Sequence, residues 1–189
     1  MQISRSTTEF SKSLNHWASK LQFWAVKSRN EQPYPFISRL NVGSMLLVGE
    51  GNFSFARSVA DRCDRPNMLV ATGFEGFGRL SNETQSNAAK LKQLGALVLH
   101  GIDAQRLEKH FSGRRSIRPK TIVFQFPNVG SRMPKRGRNP NHHLIKHFLR
   151  SADQILSVDG EIAITIVAST HHEGMFAMEE AAQKCRFEV

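Results

Sequence analysis

The stretch Met45-Leu46-Leu47-Val48-Gly49-Glu50-Gly51-Asn52-Phe53-Ser54-Phe55 decides how the rest of the chain is read. Four apolar residues, stopped by Gly49, are too short for a buried helix and read as a strand covered on both faces. A Gly-x-Gly turn follows, and Phe53 to about Arg62 has helical spacing. Strand, glycine turn and helix form the opening unit of an open α/β sheet, where a cofactor lies across the turn because glycine admits its close approach. The third glycine of a dinucleotide fingerprint is missing, with Phe53 and Ser54 in that region. The turn therefore suits a nucleoside cofactor without a pyrophosphate better than NAD. A tight structural turn would explain the same two glycines.

Downstream, short apolar runs alternate with helical ones. Met68–Thr72, Ala96–His100, Thr121–Phe126 and Glu161–Ala168 read as strands. Leu80–Leu94, Ala104–Phe111, Asn141–Leu156 and Gly174–Lys184 read as helices, the first stopped by Gly95. This pitch predicts a Rossmann-like α/β domain over residues 42–189, a mostly parallel sheet with helices on both faces. The chain ends at Val189, where a sixth strand would only begin, so the last strands are expected to be missing and an edge left unpaired.

Upstream, Phe10, Leu14, Trp17, Leu21 and Trp24 recur at steps of four and three. That spacing predicts an amphipathic helix from about Thr8 to Lys27, with Ser6 and Glu9 at capping-box spacing. A linker broken by Pro33 and Pro35 completes an N-terminal segment, residues 1–41. The stripe docks on the domain in this reading; a mitochondrial transit peptide is the alternative.

The net charge of +10 is localised: twelve Lys and Arg fall between Arg106 and Arg150, with Glu108 as the one acid there. A concentrated basic region favours a polyanionic partner, because neutralised phosphates release condensed counterions. A solvated surface is the plainer explanation. Cys63 and Cys185 make no disulfide framework and have no metal spacing, and no apolar segment is long enough to cross a bilayer. The expectation is a cytoplasmic protein with no membrane and no metal partner. His142, His143, His147, His171 and His172 have no Cys or acid at a metal-ligand spacing.

Two acids extend the glycine turn into a site. Glu75, just past the second strand, lies where a carboxylate accepts both ribose hydroxyls. Asp103, after the third strand, either meets an adenine amino group or caps the helix that starts at Ala104. With Gly49, Glu50, Gly51, Asn52, Phe53 and Ser54, these residues outline an adenosyl pocket at the carboxyl edge of the sheet. After the fourth strand, Gln125-Phe126-Pro127-Asn128 resembles the acceptor-side motif of amino-directed methyltransferases. Phe126 and Pro127 would pack on a planar base, and the amides of Gln125 and Asn128 would hold its edge. A strand ending in a Pro-Asn-x-Gly turn accounts for the same residues. Arg132, Lys135, Arg136 and Arg138 follow at once, where a phosphate backbone would pass.

Leu46 to Phe55 resembles the opening of the 25S ribosomal RNA (uridine-N3)-methyltransferase-like domain. The likeness continues through Asn87…Leu94-Gly95, Val98…His100-Gly101-Ile102-Asp103-Ala104 and Ile122–Gly130. It goes on through Leu144…Phe148-Leu149…Ser151-Ala152 and closes at Gly160-Glu161-Ile162…Ile164-Thr165. The resemblance implies a class I methyltransferase fold, S-adenosylmethionine as donor and N3 of an rRNA uridine as acceptor. Three features depart from the family pattern: Phe74-Glu75 in place of Tyr-Asp, Gln125 and Asn128 in place of Asn and His, and the short C-terminus. These leave open a catalytically silent RNA-binding or assembly protein on the same fold.

Overall fold

The computed structural model describes residues 2–4, 20–26, 35–112, 117–131, 133–134, 137–167 and 176–185. Five parallel strands form the body of the sheet: β3 (Met45–Val48), β4 (Leu69–Thr72), β5 (Leu97–Leu99), β6 (Thr121–Gln125) and β7 (Glu161–Val167). Their spatial order is β7-β6-β3-β4-β5, so the chain winds outward from β3 to β5 and then crosses to the other side of β3. Turns leaving β3, β4 and β6 thereby meet where the winding reverses, the crevice in which open α/β sheets hold ligands.

The inner strands are mostly apolar because both faces of the sheet are covered there, whereas the edge strand β5 leaves Leu97 45% exposed. Leu46 and Val48 pack into one core with Ile122, Phe124, Ile162 and Ile164. Met45 and Leu47 point the other way, into a second core with Leu69, Ala71, Val123 and Ala163. The first core is closed by α4 (Leu107–Phe111), α5 (Pro140–Ile155) and α6 (Met178–Lys184). The second is closed by α1 (Phe36–Val42), α2 (Ser54–Ala60) and α3 (Asn82–Gln93). The expected Rossmann-like α/β fold is therefore present, with helices on both faces.

The N-terminal expectation needs correcting. In place of a helix to Lys27, residues Lys20–Val26 form a strand, β2, parallel to β7 from Lys20↔Glu161 to Val26↔Val167. Gln2–Ser4 form β1, antiparallel to β2. The part of the expected helix between these strands lies outside the described residues. The edge of β7 expected to be bare is paired by β2. Leu21-Gln22-Phe23-Trp24-Ala25-Val26 has aromatic and β-branched members that suit a strand, and an open edge offers a row of backbone partners. The stretch read as linker past Pro35 contains α1, which Arg39 ties to Glu161 of β7 at 2.9 Å.

Candidate functional site at the carboxyl edge of the sheet

The glycine turn is shaped by its own side chains. Gly49 has φ +72°, open to glycine at little cost, and Glu50 N–H donates to Thr72 O at 2.8 Å, tying the turn to the end of β4. Phe53 caps α2 in the left-handed region with φ 60°, and its ring is buried. Helix starts leave donors unpaired. Here Asn52 Oδ1 accepts from Ser54 N–H at 3.1 Å and Glu50 Oε2 from Ala56 N–H at 3.1 Å. From α3, Asn87 Nδ2 donates to Asn52 O at 2.9 Å, and Asn52 Nδ2 donates to Glu83 Oε1 at 3.2 Å. The turn is thus rigid on its helix side, while a Cβ on Gly51 would meet nothing within 4 Å.

Glu50 is the buried carboxyl of this turn, 8% exposed. Burial pushes it up to about 7, with the Ala56 N–H working the other way.

The turns after β4 and β5 are fastened to each other. Gly73 N–H donates to Leu99 O at 3.0 Å, Ile102 N–H to Gly73 O at 3.0 Å, and Gly101 N–H to Glu75 O at 3.1 Å. Glu75 is exposed, flanked by Phe74 and Phe77, which are 70% and 61% exposed. Asp103 is the helix cap that one of its two readings named: Oδ1 accepts from Gln105 N–H at 2.9 Å, and Oδ2 lies 3.9 Å from Arg106 Nε. Ala104, its neighbour, is buried.

His100, in the same turn as Asp103, is not among the site residues expected from the sequence. Its ring is edge-on to Phe53 at 5.4 Å and to Phe77 at 5.7 Å. Both ring nitrogens are buried, with no hydrogen-bond partner among the described residues. Burial, and then the charge of Lys92, hold its pKa below the ordinary histidine value. No spacing rule marks a histidine whose nitrogens are orphaned by packing, which is why the sequence did not single it out.

On the other side of β3, the register Val48↔Phe124 sets the β6 turn beside the glycine turn. Gln125 ends the strand half-buried, and Phe126 follows with φ 47°, its N–H donating to Thr165 O at 2.9 Å. This backbone leaves the Phe126 ring 56% exposed, while Pro127 is buried. Asn128 Oδ1 accepts from Gly130 N–H at 2.9 Å, and Asn141 Oδ1 accepts from Val129 N–H at 2.9 Å, holding the turn against α5.

The basic region is divided. Arg138 is not a lone cation: its Nη2 donates to Glu180 Oε1 at 2.9 Å, and Lys184 Nζ approaches the same oxygen at 2.5 Å. Arg132, Lys135 and Arg136 lie outside the described residues, as do His171 and His172. Arg118 and Lys120 precede β6 and so belong to the opposite edge of the sheet. There they donate to Gln154 O at 2.6 Å and to Val158 O at 2.9 Å. Among the described residues no group of three or more His, Cys, Asp or Glu is placed to hold a metal ion, and no helix is long and apolar enough to cross a membrane.

Residues 46–189 match the family model described as rRNA (uridine-N3-)-methyltransferase BTM5-like. The chain is 33% identical over 154 residues to heavy metal-associated isoprenylated plant protein 41 of Arabidopsis thaliana, covering 75% of this chain and 28% of that one. It is 34% identical over 124 residues to the ferredoxin-fold anticodon-binding domain-containing protein 1 homolog of Mus musculus, covering 65% of this chain and 19% of that one. A more distant relative is the 25S rRNA (uridine(2634)-N(3))-methyltransferase of Saccharomyces cerevisiae, 25% identical over 142 residues, 61% of this chain and 42% of the yeast enzyme. The chain thus spans under a third of the length of the plant and mouse relatives.

Proposed function

The chain belongs to the BMT5-like rRNA (uridine-N3-)-methyltransferase family, and from this premise we propose that it transfers a methyl group from S-adenosylmethionine to RNA, at N3 of an rRNA uridine. The observation that carries the reading is the meeting of the β3, β4 and β5 turns, cross-linked by hydrogen bonds, beside a β6 turn that presents an exposed aromatic ring.

The residues at this edge fit an adenosyl group. A Cβ on Gly51 or Gly101 would meet nothing within 4 Å, and the orphaned nitrogens of His100 lie in the β5 turn. Gly49, Glu50, Gly51, Asn52, Phe53 and Ser54 would hold the donor along the first turn, Glu75 its ribose, and Asp103 with Ala104 the base. When bound, S-adenosylmethionine supplies an electrophilic methyl group on a sulfonium. The chain's own task is then orientation and exclusion of water.

On the acceptor side, Phe126 would stack on the base, with Pro127 beneath it and the amides of Gln125 and Asn128 on its edge. Amides orient a base but take no proton, so the N3 proton of uridine leaves to another group or to solvent. Arg132, Lys135, Arg136 and Arg138 would follow the phosphates. A base held inside a duplex is beyond reach, so the target is single-stranded or flipped. The cytoplasmic setting belongs to this proposal as well.

Calorimetry with S-adenosylmethionine tests the first layer, with Gly51→Trp filling the open side of the turn. No binding by the wild type sinks the proposal. A labelled-methyl assay on total RNA tests the second. Cofactor binding with no label in RNA would favour a silent RNA-binding or assembly protein, the reading to which the amide pair Gln125 and Asn128 lends support.

A further inference from the structure

Among the described residues, Glu50 has one polar partner for its carboxyl group, the Ala56 N–H. Among the described residues it makes no ion pair. The charged groups on the surrounding elements are engaged elsewhere or stand in other turns. On α2, Arg57 pairs with Asp61 at 3.6 Å and donates to Asn87 at 3.2 Å. On α3, Glu83 accepts from Asn52. Glu75 lies in the β4 turn, and His100 and Asp103 in the β5 turn. A carboxylate removed from water without a cation is costly and is kept protonated near neutrality instead. Its place between Gly49 and Gly51, in the turn that would receive the donor, makes a bound cation the partner it lacks.

The geometry points to Glu50 as the group that distinguishes the cationic donor from its neutral thioether product. With a sulfonium-bearing ligand in the turn, the Glu50 carboxyl would give its proton to solvent and the carboxylate would offset the ligand's positive charge. When the methyl group has left and the sulfur is neutral, Glu50 takes a proton back from solvent and the attraction disappears. This inference rests on the reading that the turn holds S-adenosylmethionine. A carboxyl serving only as the cap of α2 would give donor and product the same dependence on pH.

The test is calorimetric titration of the wild type and Glu50→Gln with S-adenosylmethionine and with S-adenosylhomocysteine, from about pH 5.5 to about pH 8, in buffers of different ionisation heat. The wild type should release protons on binding the donor in the lower half of this range. Its preference for donor over product should grow by about tenfold with rising pH, the change that one unit of pKa displacement produces. Glu50→Gln should bind both ligands with a preference that stays flat. A flat preference in the wild type overturns the inference, and so does a rise of equal size in Glu50→Gln. If the variant does not fold, the wild-type curves are repeated in His100→Gln: a rise that persists there supports the inference, and one that disappears overturns it. Binding of neither ligand removes the functional proposal itself, whereas equal binding of both at every pH removes only this role of Glu50.

Discussion

The ring of Phe124 closes the space over Gly49: a Cβ there would lie 2.6 Å from Cε2 of that ring. The backbone also has φ +72°, where an L side chain is strained. Gly49→Ala should therefore destabilise the fold by about 2–4 kcal/mol, combining left-handed strain with an overpacked contact. Gly51 makes the contrast, since nothing lies within 4 Å of a Cβ at that position. Gly51→Ala should stay within about 1 kcal/mol of wild type in urea unfolding while weakening donor binding. If the two variants lose stability equally, the difference drawn between the two glycines is wrong.

Glu50 predicts a pH dependence of stability whose sign is fixed by its environment. Its folded pKa is raised from 4.5 to about 7, so the folded protein holds the proton over a range where the unfolded chain has lost it. Stability therefore falls as pH rises between those values and levels off above the folded pKa. At about 1.4 kcal/mol per unit, the difference reaches about 3 kcal/mol. Glu50→Gln keeps an oxygen for the Ala56 N–H and has no charge to bury. Its stability relative to wild type should rise with pH from about 5 to about 7 and then stay level, as read from denaturant midpoints in a buffer series.

How far the chain could be read from its residues depended on the range of the forces involved. Strands such as Ile122-Val123-Phe124 declare themselves because burial on both faces demands unbroken apolar residues, and the helix ending near Leu94 stops at Gly95, with φ +95°. The turns after β3, β4 and β5 were legible for the same local reason. What escaped is decided at a distance. Lys20–Val26 carries helical spacing in its own neighbourhood, but its backbone pairs with β7 more than a hundred positions on. Arg138 reads as a free cation until Glu180, 42 positions away, folds against it. His100 stands out only through the rings of Phe53 and Phe77, 47 and 23 positions back, which pack edge-on against it.

Asp103 offers a way to separate cap from ligand contact. Its Oδ1 holds the Gln105 N–H at 2.9 Å. Asp103→Asn retains an oxygen for that bond, and Asp103→Ala does not. The alanine variant should lose about 1 kcal/mol of stability, the usual worth of such a cap, and the asparagine variant much less. If the carboxylate also meets the donor's adenine, both variants should weaken S-adenosylmethionine binding. A wild-type affinity in Asp103→Asn would leave Asp103 a cap and nothing more.

Glu180 should hold back RNA binding. It takes Arg138 and Lys184 on the same oxygen, and these partners draw its carboxyl below the usual carboxylate range, the Lys184 hydrogen bond foremost. A cation already matched by a carboxylate contributes less to the release of counterions from a polyanion. For single-stranded RNA each fully engaged phosphate contact adds about 0.7 to the slope of log affinity against log salt. Arg138→Ala should lower the slope by clearly less than that. Glu180→Gln should do the opposite, steepening the salt dependence and tightening binding at low salt, because it frees both cations at once. Filter binding or fluorescence anisotropy with a single-stranded RNA, repeated over a salt series, reads both changes. If Glu180→Gln leaves the slope unchanged, Arg138 and Lys184 do not face the RNA, and the basic loop must reach it through other residues.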